Sequence, residues 1–411
     1  MSGLRIGIVG CGIAGMAAAI ACAREGFRVT LIERFETPRP LGAGLLLQPS
    51  GLAALEALGL RAAVEARGAR IATLDGRTRE GRPVLELVYQ RWAPDAFGLG
   101  VHRAALFDAL HTALATSGAD LRFGVEAVEL DGDQEVTVHD ATRRRHGPFD
   151  VLLIADGSHS SLRERALPGS KAPLFPWGAL WTVRPDRPGR WEGALRQVYD
   201  GAQRMAGVLP LGRAPGATAP EAALFWSLRR DQYEAWRAAG LSAWRDEVAA
   251  HWPAAARLLV GLDDPDAVAF ATYRDVQAAP WSRGRALAIG DAAHGTSPQL
   301  GQGANLALAD GVAIAAALSA RPDAPGAALR LFRRMRRGTV GWTQLASRAL
   351  TPAFQSDWRL MGWARDVALR DLARIPAIER LMLATLVGAV APTPIRLKSS
   401  GAGLASAGRT R

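Results

Sequence analysis

The chain has 411 residues, 49% hydrophobic and 22% charged, a globular composition with room for two or three domains and unlike that of a disordered or fibrous protein. Basic residues exceed acidic ones by 50 − 39 = 11, but only Lys171 and Lys398 are lysine and the arginines are scattered, so the excess reads as residue bias, not as a nucleic-acid footprint. Two cysteines, Cys11 and Cys22, exclude a disulfide framework or a cysteine-based zinc site, no P-loop occurs, and no apolar run reaches the ~18–20 residues that span a bilayer.

Residues 4–9, LRIGIV, predict a buried strand, 14–24 a helix of small residues, and 28–33, RVTLIE, a second strand: a βαβ start. A loop rich in Pro and Gly (38–44) precedes a helix that begins after Pro49, and 103–117 has helical spacing. Short strands are expected at 121–123, 125–130 and 135–139, and the apolar run 151–154, VLLI, predicts a strand buried on both faces. From about 171 to 280 the texture changes. Alternating segments at 179–184, 195–199, 205–209 and 223–228 predict an antiparallel sheet with helices around 231–260. Eight of the twelve tryptophans fall between Trp177 and Trp281, which marks this sheet as aromatic-rich. From 286 the first texture returns: a strand, a glycine-rich loop, an alanine-rich helix over 303–319, and further helices to about 391. The arginine run Arg330, Arg333, Arg334, Arg336 and Arg337 reads as a solvated helix face.

Three motifs carry chemistry. Gly10-Cys11-Gly12-Ile13-Ala14-Gly15 follows a strand and opens a helix, and Glu33 ends the next strand. Gly10 permits the tight turn, Gly12 lets a pyrophosphate approach the backbone, Gly15 allows close helix packing, and Glu33 is placed to accept hydrogen bonds from ribose hydroxyls. Asp156-Gly157 directly follows the buried strand 151–154. Gly290-Asp291 follows another, leading to Pro298 and the segment Gly301, Gln302, Gly303, Ala304, Asn305, whose backbone N–H groups precede a helix. His294, in the same segment, is read as structural in preference to a catalytic base.

Taken together, these three ordered motifs resemble the fingerprints of the class A flavoprotein monooxygenases, the family of p-hydroxybenzoate hydroxylase. The resemblance implies an α/β fold: a Rossmann-type FAD-binding domain interleaved with an antiparallel-sheet substrate domain, with a helical C-terminus. The FAD-binding domain is expected from 1–72, 98–170 and 281–345, and the substrate domain from 73–97 and 171–280. C-terminal helices cover 346–391, and a flexible tail 392–411. The implied cofactor is FAD, with NADPH or NADH as co-substrate. The implied reaction is O₂-dependent hydroxylation of an aromatic or other electron-rich small molecule through a flavin C4a-hydroperoxide. In that family Asp291 binds flavin-side hydroxyls, Asp156-Gly157 serves both nucleotides, Arg103 touches the FAD phosphate side, and Arg34 is an adenine-side neighbour. The Pro298 carbonyl lies near the reacting flavin edge. Gly42, Ala43, Gly44 and Gln48 resemble the mobile region beside the flavin. Tyr199, Met205, Leu209 and Trp226 are candidate pocket residues in the sheet domain. A flavin-dependent halogenase and a non-catalytic FAD-binding protein are the alternatives. A soluble, cytoplasmic enzyme without stable membrane insertion or nucleic-acid partner is expected.

Overall fold

The computed structural model describes residues 3–39, 43–186 and 189–391. Along the chain run β1 (Arg5–Val9), α1 (Ile13–Arg24), β2 (Arg28–Ile32), β3 (Gly44–Leu47), α2 (Pro49–Ala57), α3 (Arg61–Glu65), β4 (Ala69–Thr78), β5 (Pro83–Val88), β6 (Gly98–His102) and α4 (Arg103–Ala115). Then come β7 (Asp120–Arg122), β8 (Ala127–Asp131), β9 (Val136–Asp140), β10 (Arg145–Phe149), β11 (Val151–Ile154) and α5 (Ser161–Ala166). The middle of the chain forms β12 (Leu174–Pro185), β13 (Gly193–Asp200), β14 (Arg204–Gly212), β15 (Glu221–Arg229), α6 (Tyr233–His251), α7 (Pro253–Ala256) and β16 (Ala269–Arg274). The last part holds β17 (Ser282–Arg283), β18 (Ala286–Ala288), α8 (Asp291–His294), α9 (Gly303–Ala320), α10 (Pro325–Phe354), α11 (Arg359–Ala373) and α12 (Pro376–Val387).

Three sheets result. The first has the order β17-β18-β11-β1-β2-β7, with β1 parallel to both β2 and β11. Its central strands are covered on both faces, which is why they read as unbroken apolar runs. Helix α1 is alanine-rich for a packing reason: a Cβ on Gly311 of α9 would lie 2.6 Å from the Ala17 Cβ, so the two helices touch backbone to backbone. Helix α9 is long and apolar enough to cross a membrane, but it is mostly buried among α1, α2 and α10. A small sheet, β10-β9-β8, flanks this layer, and β10 was not legible in the sequence because a Gly-Pro pair and a register shift interrupt it.

The large sheet has the order β16-β12-β15-β14-β13-β4-β6-β3, with β5 on β4. Two expected boundaries shift. The one after residue 72 falls inside β4, and β3 and β6, expected in the FAD-binding segments, are strands of the large sheet. The one after 345 falls inside the single helix α10. The reason is physical: β3 and β6 are short and glycine-flanked, and only their non-local pairing makes them strands. One face of the large sheet packs against the end of α10 and α12, through Phe354, Leu383 and Leu386. The other packs against α6 through Trp236 and Trp244.

Candidate active site

The first glycine turn joins β1 to α1. Gly10 has φ +106°, and a Cβ there would lie 2.9 Å from the Asp156 Cα, so only glycine lets this turn rest on the one after β11. A Cβ on Gly15 would collide with the Gly10 carbonyl oxygen, which explains the third glycine. Gly12 is different: a Cβ there meets nothing within 4 Å, and α1 has no side chain capping its N-terminus. The turn therefore presents bare N–H groups and the positive helix end to an open space. Glu33 accepts the Cys11 N–H at 2.7 Å through Oε2 and the Phe35 N–H at 3.1 Å through Oε1, which fixes the turn and leaves lone pairs for hydroxyl donors. Burial, and then the Glu33 charge, push the Cys11 thiol up to about 12, so it stays protonated and inert. Ile13 and Ala14 open the helix, and Ala14 is buried under the third motif. The Arg34 guanidinium stacks on the Phe35 ring, 4.7 Å from its centroid.

Asp156 and Gly157 follow β11. Asp156 Oδ1 is buried and has no partner. Burial pushes this carboxyl up to about 6, against the pull of the Ser160 hydroxyl, its own backbone, and the Arg163 and Arg34 guanidinia. Gly157 faces open space.

The third motif is held from below. Gly290 has φ +58°, and a Cβ there would lie 2.6 Å from the Ala14 Cβ, so this turn rests on the first. Its N–H is accepted by Asp310 Oδ2 at 2.8 Å. The same carboxylate meets His294 Nε2 at 2.6 Å and Arg336 Nε at 2.6 Å, and all three side chains are almost fully buried. Burial alone would raise the Asp310 carboxyl, but His294, Arg336 and the Gly290 N–H outweigh it and hold it at about 2. His294 is thus a structural partner of Asp310. Asp291 stands exposed above this base, its Oδ1 3.8 Å from the point a Gly303 Cβ would occupy. Nearby, burial lowers the Arg103 guanidinium below its ordinary range while the Asp291 carboxylate and the Tyr273 phenol oppose that shift. Arg103 and Asp291 are therefore electrostatic neighbours, with Tyr273 as a third member that the sequence reading did not single out.

Helix α9 starts after Gly301, which adopts the left-handed conformation, and it too lacks a side-chain cap. Gly303, Ala304 and Asn305 carry its unpaired first N–H groups. Asn305 spends its side chain on the protein: Oδ1 accepts the Gln48 N–H at 2.8 Å, and Nδ2 donates to the Gly301 carbonyl at 2.9 Å and the Leu46 carbonyl at 3.3 Å. Its part in the site is its backbone and the clamp between β3 and α9. Gln48 is fully buried, accepts the Tyr89 hydroxyl at 2.6 Å, and keeps its Nε2 buried without a partner. Gly44 pairs with His102 and abuts Leu211, while Gly42 lies outside the described residues. Pro298 opens the turn 298–300. Ser297, before it, is locked to Ser347 and Thr351, and Gln299, after it, bonds Gln355 at 2.9 Å.

The four candidate pocket residues do not share a face. Tyr199, Met205 and Leu209 lie on the side covered by α10 and α12. Trp226 lies on the opposite side with Trp236 and Trp244 and is fully buried there, so it is core and not pocket. The strand alternation puts its neighbour Phe225 on the site side, tilted against Trp181 at 5.0 Å. Tyr199 is also committed: its hydroxyl donates to Gln197 Oε1 at 2.9 Å, and its ring sits between Phe354 and the Arg365 guanidinium. Trp181 Nε1 reaches the Tyr273 hydroxyl at 3.4 Å.

The arrangement fits a flavin dinucleotide on structural grounds. It offers a bare phosphate cradle at Gly12, an acceptor at Glu33, a buried unpaired carboxylate oxygen at Asp156 and an exposed carboxylate at Asp291. A second uncapped helix end and an unpaired Gln48 amide complete it. A family model described as "FAD binding domain" matches residues 4–339. A probable 2-heptyl-3-hydroxy-4(1H)-quinolone synthase of Rhodococcus erythropolis is 26% identical, over 90% of this chain and 92% of its own length. A 3-amino-4-hydroxybenzoate 2-monooxygenase of Streptomyces platensis is 30% identical, over 81% and 84%. The crystal structure of Klebsiella pneumoniae HpxO complexed with FAD and uric acid shares the fold, with TM-score 0.77 and 20% identity over 94% of this chain and 97% of that one. Named monooxygenases and hydroxylases stand among the relatives, and none of the names supports the halogenase reading. The chain belongs to the class A FAD-dependent monooxygenases, the aromatic hydroxylase family.

Proposed function

We propose that this FAD-dependent monooxygenase hydroxylates a planar, electron-rich aromatic or N-heteroaromatic ring bearing an apolar substituent, at the edge of the 298–300 turn. The observation that carries the reading is the composition of the sheet face beside that turn. Met205, Leu209, Phe225 and Trp181 make it apolar and aromatic, and the Tyr273 hydroxyl and the Gln299–Gln355 pair are its polar points. A wall of this kind orients a flat ring and excludes water while a few polar groups set its register. The named activities of the relatives, a heptylquinolone synthase and an aminohydroxybenzoate monooxygenase, support a ring of that class.

FAD, when bound, would accept two electrons from NAD(P)H and pass them to O₂. The chain's own residues bind and orient. Gly12 and α1 would receive the phosphates, Glu33 and Asp291 would accept from the hydroxyls of the two halves, and the α9 N–H groups would stabilise negative charge on the flavin edge. Gln48 supplies an amide donor held in place by Tyr89. A cytoplasmic setting is part of the proposal: both cysteines are buried free thiols, which suits a reducing compartment.

The test is the visible spectrum of the purified protein, followed by NAD(P)H oxidation with hydroxybenzoates, 4-quinolones and 2-alkyl-4-quinolones. Flavin bands, with oxidation stimulated by one ring class and matched by hydroxylated product, are expected. A protein that cannot be loaded with FAD, or one whose NAD(P)H oxidation no ring stimulates, would refute the reading.

A further inference from the structure

Helix α10 has two faces of opposite character. Phe332 and Arg336 point into the protein, where Arg336 pairs with Asp310. Arg330, Arg333, Arg334 and Arg337 recur at positions i, i+3, i+4 and i+7, so they share one stripe. Arg330, Arg334 and Arg337 are exposed and Arg333 is half-buried, in keeping with the solvated face expected, whereas Arg336 is buried. The four arginines line a pocket of about 390 Å³ whose opposite wall includes Pro280 and Trp281. Like charges three and four residues apart repel. Elsewhere on this helix the arginines are matched, Arg336 by Asp310 and Arg348 by Asp275, but among the described residues none of these four has a carboxylate or a hydrogen-bond partner. Residues 392–411 contain no Asp or Glu that could supply one. A fifth guanidinium stands at the same end: Arg285 Nη1 is buried without a partner, and it and Arg330 Nη1 lie 3.3 and 3.8 Å from where a Gly326 Cβ would sit. Trp281 is held in place by His294 and Phe332, at centroid distances of 6.0 and 6.3 Å.

We propose that this pocket binds a phosphorylated small molecule carrying a flat ring, that is, a nucleotide phosphate. Guanidinium forks match phosphate oxygens two at a time, and an indole beside a proline offers a flat ring an apolar wall. A run of arginines with no internal partner is relieved by an external anion. The phosphate has two possible sources, the nicotinamide dinucleotide reductant or a separate nucleotide, and the first rests on the function proposed above.

The test titrates ADP and inorganic pyrophosphate calorimetrically into the FAD-loaded enzyme, so that the glycine turns are already filled. The same titration is run on the double variant Arg333→Ala/Arg337→Ala, with Arg330→Ala/Arg334→Ala as a second pair should the first fold poorly. Saturable binding to the native protein, weakened about tenfold or more in a double variant, is the expected result. KM then assigns the source. A rise for NADPH at unchanged kcat identifies the reductant's phosphates, and an unchanged KM for NADPH and NADH identifies a separate nucleotide. No saturable binding of either probe, or equal binding to native and variant proteins, overturns the proposal, as does retention of nucleic acid without binding of ADP. No residue of the three FAD motifs lines the pocket, so failure to load FAD sinks the functional reading while the native-versus-variant comparison still decides this one.

Discussion

Replacing Asp310 by Asn keeps the shape of a buried side chain and removes the negative charge that holds the Gly290–Asp291 turn from below. Arg336 would then be a cation 2% exposed that has lost its Asp310 counter-charge. Breaking a buried pair by removing one partner destabilises by about 3–5 kcal/mol. A second route gives a lower figure: a carboxyl held at about 2 instead of 3.8 corresponds to roughly 2 kcal/mol. A loss of about 2–5 kcal/mol at pH 7 is expected, read from urea unfolding. The sign with pH follows from the depressed carboxyl. The contribution is present above pH ~4 and is lost as pH falls toward 2, so the gap between native and variant proteins narrows over that range. FAD affinity should fall as well, because the Gly290 N–H loses a charged acceptor and the turn that carries Asp291 loosens. The double variant Asp310→Leu/Arg336→Leu, which buries no charge, should recover much of the stability but not the FAD affinity. A single variant within about 0.5 kcal/mol of the native protein at pH 7 would refute the reasoning.

Gly12→Val should fold normally, since a Cβ there meets nothing within 4 Å and the backbone (φ −80°) suits any residue, yet bind FAD at least about tenfold more weakly by flavin fluorescence titration. Undiminished affinity would move the phosphate away from this turn. Asp156→Asn should stabilise the FAD-free protein. The native carboxyl sits at about 6 against 3.8, so folding is disfavoured as pH rises through that window, and the variant should gain roughly 3 kcal/mol at pH 8 and nothing at pH 4. Equal melting curves at pH 8 would contradict the burial argument. Trp226→Ala should lose about 3–5 kcal/mol of stability while the KM for the aromatic substrate stays unchanged, and a raised KM in the folded variant would return this residue to the pocket.

The parts legible in the sequence are those fixed by local chemistry. Gly10, Gly12 and Gly15 after an apolar strand, and Asp156 and Asp291 at the ends of two others, need no distant information to be read. What was not legible depends on what covers each surface. Alternation tells which residues of 223–228 share a side, but whether Trp226 or Phe225 faces the site is decided by α6 on one side and α12 on the other. In the sequence, Asp310 is no more than a break in the apolar stretch 303–319. The available signal was a lone carboxylate on a helix buried all round, following His294 and preceding Arg336, which needs partners to be tolerated there. The arginine stripe is solvated as its spacing suggests, but the wall that faces it, Pro280 and Trp281, comes from a distant part of the chain and was not legible.

The strands β3 and β6 have a mechanical consequence. Each runs directly into a helix of the nucleotide layer, β3 into α2 and β6 into α4, while both are hydrogen-bonded into the large sheet through β4. The two lobes are therefore joined by short strand-to-helix crossings, and Asn305 of α9, bonded to the Gln48 N–H and the Leu46 carbonyl at the end of β3, would have to release that strand before the lobes swung apart as rigid bodies. Ligand entry must proceed by local rearrangement, so small-angle scattering should give the same radius of gyration for the free and the ligand-saturated enzyme.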